Sequence, residues 1–190
     1  MTLIKGFVLM SRFDYLEKNA GKDAIKKFLT RIKLELEDYA RQPVIGSNNY
    51  PQSSIEKIDK ILLEDYFSNN LEEFRQLGNW YADHFMNHYF SMYLEEQSPI
   101  EFIYQYARLR PFILGTGNMS VTALNNKSLS IKIEYQQNIP RSVCISEQGF
   151  LVRALELCGL NQIDIREDSC AVNDDNYICK YQLTYKKSYE

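Results

Sequence analysis

Residues 144 to 179 read Cys144-Ile-Ser-Glu-Gln-Gly-Phe-Leu-Val-Arg-Ala-Leu-Glu-Leu-Cys-Gly159, then Leu160-Asn-Gln-Ile-Asp-Ile-Arg-Glu-Asp-Ser-Cys170, then Ala171-Val-Asn-Asp-Asp-Asn-Tyr-Ile-Cys179. The first part is an apolar helix, with Ser146 as its N-cap and Gly159 as the residue beyond its end. Ile163 and Ile165 alternate with polar neighbours, so residues 162–171 read as a strand. A second strand, 177–186, follows the polar loop 173–176. A hairpin closed by that loop sets Val172 opposite Tyr177 and Cys170 opposite Cys179, at the roughly 4.5–5.5 Å Cβ spacing of directly facing residues. Glu167 precedes Cys170 by three residues and falls on the other face, unless a bulge turns it back. Cys144 is expected in the loop before the helix.

Cys144, Glu167, Cys170 and Cys179 thus form the one cluster of thiols and a carboxylate that the chain offers. Three thiolates with a carboxylate suit tetrahedral zinc. Two other readings stay open: free thiols in a reducing compartment, and a cross-strand Cys170–Cys179 disulfide. Cys158, at the end of an apolar helix face, reads as a buried thiol.

Outward from this stretch, the period of the sequence changes at Gly115-Thr-Gly117. After it come strands 119–124 and 129–135, the second with Leu129, Ile131, Ile133 and Tyr135 on one face. Before it everything reads as helix: 9–18, 23–39, a segment carrying Ile55, Ile58, Ile61 and Leu62, and a long aromatic helix over 70–94. A loop over 43–51 interrupts these. Ser98-Pro-Ile-Glu101 has the form of a capping box, so a further helix starts there and is expected to stop near Arg110, before Pro111. The class is α+β: a helical part, 1–114, packed on an antiparallel sheet of about four strands with one inserted helix, 115–190, in a single domain spanning 1–190.

The spacing of the cluster resembles that of the four-vinyl-reductase domain, the ligand-binding module of phenol- and aromatic-sensing bacterial transcription activators. That family has a zinc site made of Cys, Glu, Cys and Cys. Cys144, Gly149, Glu167 and Cys170 stand at the family spacing, while Cys179 follows Cys170 at nine residues where the family has eight. Arg153 stands where the family has a second glycine. The resemblance implies a structural zinc on Cys144, Glu167, Cys170 and Cys179, and a non-enzymatic signalling domain for a small apolar or aromatic ligand. The element order and the opening Ile4-Lys-Gly-Phe7 also resemble the haem nitric-oxide/oxygen-binding (H-NOX) domain. That family needs a proximal His before the first strands and a Tyr-x-Ser-x-Arg motif. Helix 99–110 has no His and the motif is absent, so the layout is shared without the haem ligands, and a haem-based gas sensor is disfavoured.

Within helix 70–94, Trp80, Tyr81, His84 and His88 place rings and imidazoles on overlapping faces. They are the candidate ligand-binding residues for a planar apolar molecule, although aromatics at this spacing also make ordinary core. His84-Phe-Met-Asn-His88 lacks the Glu of a metalloprotease motif, and no phosphate-binding glycine loop or nucleophile elbow occurs, so no enzyme is expected. The 190 residues carry a net charge of −3, which does not favour a nucleic-acid surface. No run approaches the 18 apolar residues of a membrane span, and no signal peptide is read, so a soluble cytoplasmic protein is expected. Output would pass through a protein partner or a homodimer. The alternative is an adaptor, since vesicle-tethering TRAPP subunits have a similar fold and act through interfaces.

Overall fold

The computed structural model describes residues 2–36, 43–172 and 177–187. Strand β1 (Leu3–Lys5) leads directly into helix α1 (Gly6–Ala20), and α2 (Lys22–Glu35) follows after Gly21. Strand β2 (Asn49–Pro51) pairs antiparallel with β1, placing Ile4 opposite Tyr50. Next come α3 (Ser53–Asp65), α4 (Glu73–Tyr89), α5 (Ser91–Glu95) and α6 (Pro99–Leu114). The second half holds β3 (Asn118–Asn125), β4 (Ser128–Glu134), α7 (Arg141–Leu157), β5 (Leu160–Ser169) and β6 (Ile178–Lys187). The last four strands form an antiparallel sheet in the order β3-β4-β6-β5. The α+β class is as expected from the change of period, and one sheet face is buried. Leu129, Ile131, Ile133 and Tyr135 lie under the helices with Cys179, Tyr181 and Leu183 of the neighbouring β6.

Several local expectations give way. The stretch expected as one helix over 70–94 breaks at Phe90, whose φ of −135° leaves the helical region. Phe90 is buried against Phe85 and Phe102, and this inward turn separates α5 from α4. Helix α6 does not stop at Arg110. It runs through Pro111 to Leu114, ends on Gly115 at φ 78°, and there the Gly115 N–H donates to the Pro111 carbonyl. Ser98 sits at the N-cap, yet its hydroxyl makes no capping bond and is buried without a partner among the described residues, so Pro99 at the first turn starts the helix alone. The loop expected over 43–51 contains β2. Helix α2 ends at Glu35, short of the residue 39 expected, because Leu36 turns to extended backbone at φ −130°; residues 37–39 and the hairpin loop 173–176 lie outside the described residues.

Helix α7 begins five residues before its expected cap. Pro140, extended at φ −65° and ψ 148°, is the N-cap, and the Val143 N–H donates to its carbonyl. Cys144 therefore sits in the first turns of α7, not in a preceding loop. The hydroxyl of Ser142 is spent on Asp59, 2.5 Å away.

Buried apolar side chains group into two clusters. One joins α1, α2, α3 and the start of α4; the other joins the sheet with α4, α6 and α7. Helices α4 and α7 cross where Gly78 and Gly149 stand. A Cβ at Gly78 would strike the Ser146 carbonyl oxygen, and one at Gly149 the Arg75 carbonyl oxygen. Arg153, one turn beyond Gly149, points outward and binds Asp83 at 2.8 Å.

Candidate functional site

The thiols are assembled by three elements. Cys144 comes from α7, Cys179 from β6 where it faces Ile133 of β4, and Cys170 from the residue just beyond β5. Their sulfur atoms lie within 4.8 Å of one another, with Cys144 Sγ 3.0 Å from Cys170 Sγ and 3.5 Å from Cys179 Sγ. All three are buried. The β5–β6 register pairs Glu167 with Tyr181 and Ser169 with Lys180, so a bulge lies at Asp168. Past that irregularity the chain turns Cys170 toward the helix.

This environment favours one thiolate. The Cys170 pKa is pushed down by hydrogen bonds from Cys144 and Cys179, helped by the Val172 N–H and by Arg141, although burial opposes it. Cys144 moves the other way, chiefly through its hydrogen bonds to Cys170 and Cys179 and then through burial. The Ala171 N–H also donates to Cys179 Sγ at 3.3 Å. An electron-rich sulfur cluster supported by backbone N–H groups and a guanidinium is the donor set a soft or borderline cation needs. Cys158 lies apart, its thiol pushed up to about 12 by burial.

Glu167, the fourth residue of the expected set, does not join the sulfur atoms. Its carboxylate is taken by Arg141, whose Nη1 donates to both oxygens at 2.6 and 2.8 Å, and by Gln148 Nε2 at 2.5 Å. Arg141 in turn reaches Cys170. The bulge brings the carboxylate to the edge of the trio, one guanidinium away.

The candidate ligand residues of α4 divide between two sides. Trp80 stacks on His84, with ring centroids 4.4 Å apart, and meets Tyr15 edge-on. His84 and His88 are exposed, and the Nδ1–H of His88 donates to the His84 carbonyl, 2.8 Å away. Trp80 is half-buried against the cluster of α1 to α3, whereas Tyr81 is half-buried against the cluster under the sheet. Tyr81 packs on Phe85 and Phe150 and borders a cavity of about 60 Å³ between the two clusters. The same cavity is bordered by Arg110, whose place before Pro111 in the sequence gives no sign of its burial. Arg110 is buried and uses every N–H: Nε and Nη2 on Glu147, Nη1 on the Thr116 and Gly117 carbonyls, and Nη2 on the Tyr135 hydroxyl. Burial is the largest influence and works against its charge, but Glu147, Tyr135 and Tyr106 together outweigh it and hold its pKa well above the usual value.

A wider open groove of about 440 Å³ lies on the other side of α6, lined by aromatic and aliphatic side chains of α1, α4, α5 and α6. Tyr89 is 63% exposed there and Phe112 77%. No periodicity in the sequence announces this groove, because its walls come from four separate segments.

No family model and no curated protein matches the chain, so the resemblance to the four-vinyl-reductase domain finds no support there. Solved structures do match. An oxygen-binding H-NOX domain related to soluble guanylate cyclases is 12% identical, with a TM-score of 0.74 over 98% of this chain and 97% of its own. A variant H-NOX protein from K. algicida, in the Fe(II) unliganded state, is 15% identical with a TM-score of 0.71, covering 96% and 97%. A structure from work on haem redox potential and porphyrin distortion is 12% identical with a TM-score of 0.70, covering 96% and 99%. Neither the cavity nor the groove places an imidazole or a thiolate for a haem iron. The cavity of about 60 Å³ is far below the ~300–1,000 Å³ of small-molecule pockets. The groove is large enough, but its lining offers iron only the phenols of Tyr89 and Tyr93 and the Met92 thioether, and no cation for propionates. What the likeness shows is a fold shared with H-NOX domains over nearly the whole chain.

Proposed function

We propose that this chain is a non-enzymatic sensor domain whose C-terminal hairpin is pinned to α7 by a structural zinc ion. The observation that supports it is the convergence of the Cys144, Cys170 and Cys179 sulfur atoms within 4.8 Å in a buried site. Solvated cysteines have no reason to gather, and three buried thiols from separate elements gain most from a shared cation. The three thiolates would hold the ion, with Glu167 or a water as fourth ligand. Zinc supplies a cross-link there, coupling the hairpin to the helix that crosses α4. The setting is the cytoplasm, where thiols stay reduced. The ligand is a small apolar or aromatic molecule, for which the groove of about 440 Å³ offers matching room and chemistry. Output passes through a protein partner or a second copy.

The exposure of Tyr89, Met92 and Phe112 on that groove also suits an adaptor that docks a protein there. Metal content of the untagged protein by mass spectrometry tests the zinc, beside a Cys144→Ser variant. About one zinc per chain, lost with thermal stability in the variant, is the expected result. Metal-free protein with four reactive thiols after unfolding would remove it. Saturable binding of a small aromatic fluorophore, abolished by Phe112→Glu, favours the sensor over the adaptor.

A further inference from the structure

The cavity of about 60 Å³ at the seam of the two clusters has a chemistry of its own. Val8, Ile55, Ile139 and Phe150 give it an apolar wall. Arg12 and Arg110 also border it, but each guanidinium is already neutralised: Arg12 Nε lies 3.0 Å from Asp59 Oδ1, and Arg110 Nη2 lies 3.1 Å from Glu147 Oε2. A charged occupant would find no free counter-charge. Two polar atoms in the lining remain unmatched. Gln52, 4% exposed, donates through Nε2 to the Asn138 carbonyl, which leaves its Oε1 as an acceptor; that atom is buried with no partner among the described residues. Thr116 Oγ1 is in the same condition. Buried acceptors are satisfied in native proteins, so a donor belongs here.

We propose that this cavity is a binding site for a small neutral molecule with a hydrogen-bond donor at one end and a short alkyl body, a one- or two-carbon alcohol. Size sets the upper limit: an apolar cavity of ~150 Å³ takes benzene, so about 60 Å³ admits roughly two or three heavy atoms. The donor meets Gln52 Oε1 and the Thr116 hydroxyl, and the alkyl body meets the wall of Val8, Ile55 and Ile139. Water could satisfy the acceptors but would gain nothing from that wall. Occupancy would join α1 and the segment before α3 to the turn after α6, across the seam. The site is separate from the thiol trio and goes beyond the sensor reading above.

Ethanol is the probe, titrated into the full chain and followed by methyl NMR. Saturable shifts of the Val8, Ile55 and Ile139 methyl signals are expected, with cross-peaks from the ethanol methyl to them. Thr116→Val should weaken binding at least threefold, and diethyl ether, bulkier and without a donor, should produce no saturable shift. Shifts that grow linearly without saturating, cross-peaks to water alone, or an equal response to both molecules would overturn the proposal. The comparison of the two molecules on the unmutated chain holds even if the variant fails to fold.

Discussion

Gly78 of α4 and Gly149 of α7 meet their partner helices backbone to backbone, with no space for a methyl group at either position. The obstructing atoms are carbonyl oxygens of Ser146 and Arg75, which cannot swing aside as a side-chain tip would. Gly149→Ala is expected to destabilise the protein by about 2–3 kcal/mol through overpacking. That corresponds to a melting temperature lower by roughly 5–10 °C. An unchanged melting curve would mean that the helices do not approach this closely.

The Arg110–Glu147 pair is deeply buried, with side-chain exposures of 1% and 7%, as is Arg12–Asp59 at 5% and 3%. Removing one partner strands the other charge, so Glu147→Gln or Arg110→Met should each cost about 3–5 kcal/mol in urea denaturation. Arg110→Met should be the worse, since it also releases the Thr116 and Gly117 carbonyls. Arg110→Met combined with Glu147→Leu is expected to recover part of the loss.

Cys158 predicts an alkaline limit to stability. Burial raises its thiol pKa from 9.0 to about 12. Between those values the unfolded thiol ionises while the folded one stays protonated, so the unfolded state binds fewer protons and stability falls as pH rises. The contribution is complete below pH 9 and declines by about 1.4 kcal/mol per pH unit above it. Stability measured from pH 9 to 11 should fall more gently in Cys158→Ala, by one proton's worth of slope.

Glu167→Gln separates the carboxylate's two possible roles. Its ion pair with Arg141 is partly exposed, so the metal-free protein should lose at most about 1 kcal/mol. Zinc affinity, measured by competition with a chromophoric chelator, should drop about 10- to 100-fold if the carboxylate ligates or orients the site. Unchanged affinity would assign the fourth position to water.

The sheet was legible because Leu129, Ile131, Ile133 and Tyr135 alternate with polar residues, and one buried face imposes that alternation. The approach of Cys170 to Cys179 was legible from the hairpin register, while Cys144 entered through a loop that the structure replaces with the first turns of α7. The start of α7 was not legible. Ser146 has the right residue type for a cap, whereas Pro140 signals only a turn, and Ser142's engagement with Asp59 across the fold leaves no local trace. Strands β1 and β2 are three residues each, too short to show a period, and exist because they pair with each other. His84 and His88 are exposed while Trp80 and Tyr81 are half-buried, and helical spacing gives all four the same signal in sequence. Pro111 implied a stop, but a helix can absorb a proline where the residues after it are held from elsewhere, and Arg110 does that holding.

A glycine-flanked turn such as Gly115-Thr-Gly117 ordinarily behaves as a linker, open to proteases and free to bend. Here the guanidinium of Arg110 grips the Thr116 and Gly117 carbonyls while anchored to Glu147 of α7. The turn acts as a weld. Limited proteolysis should therefore spare it, and the helical and sheet-bearing halves should melt in one cooperative transition. In Arg110→Met the same three residues should become the first point of cleavage.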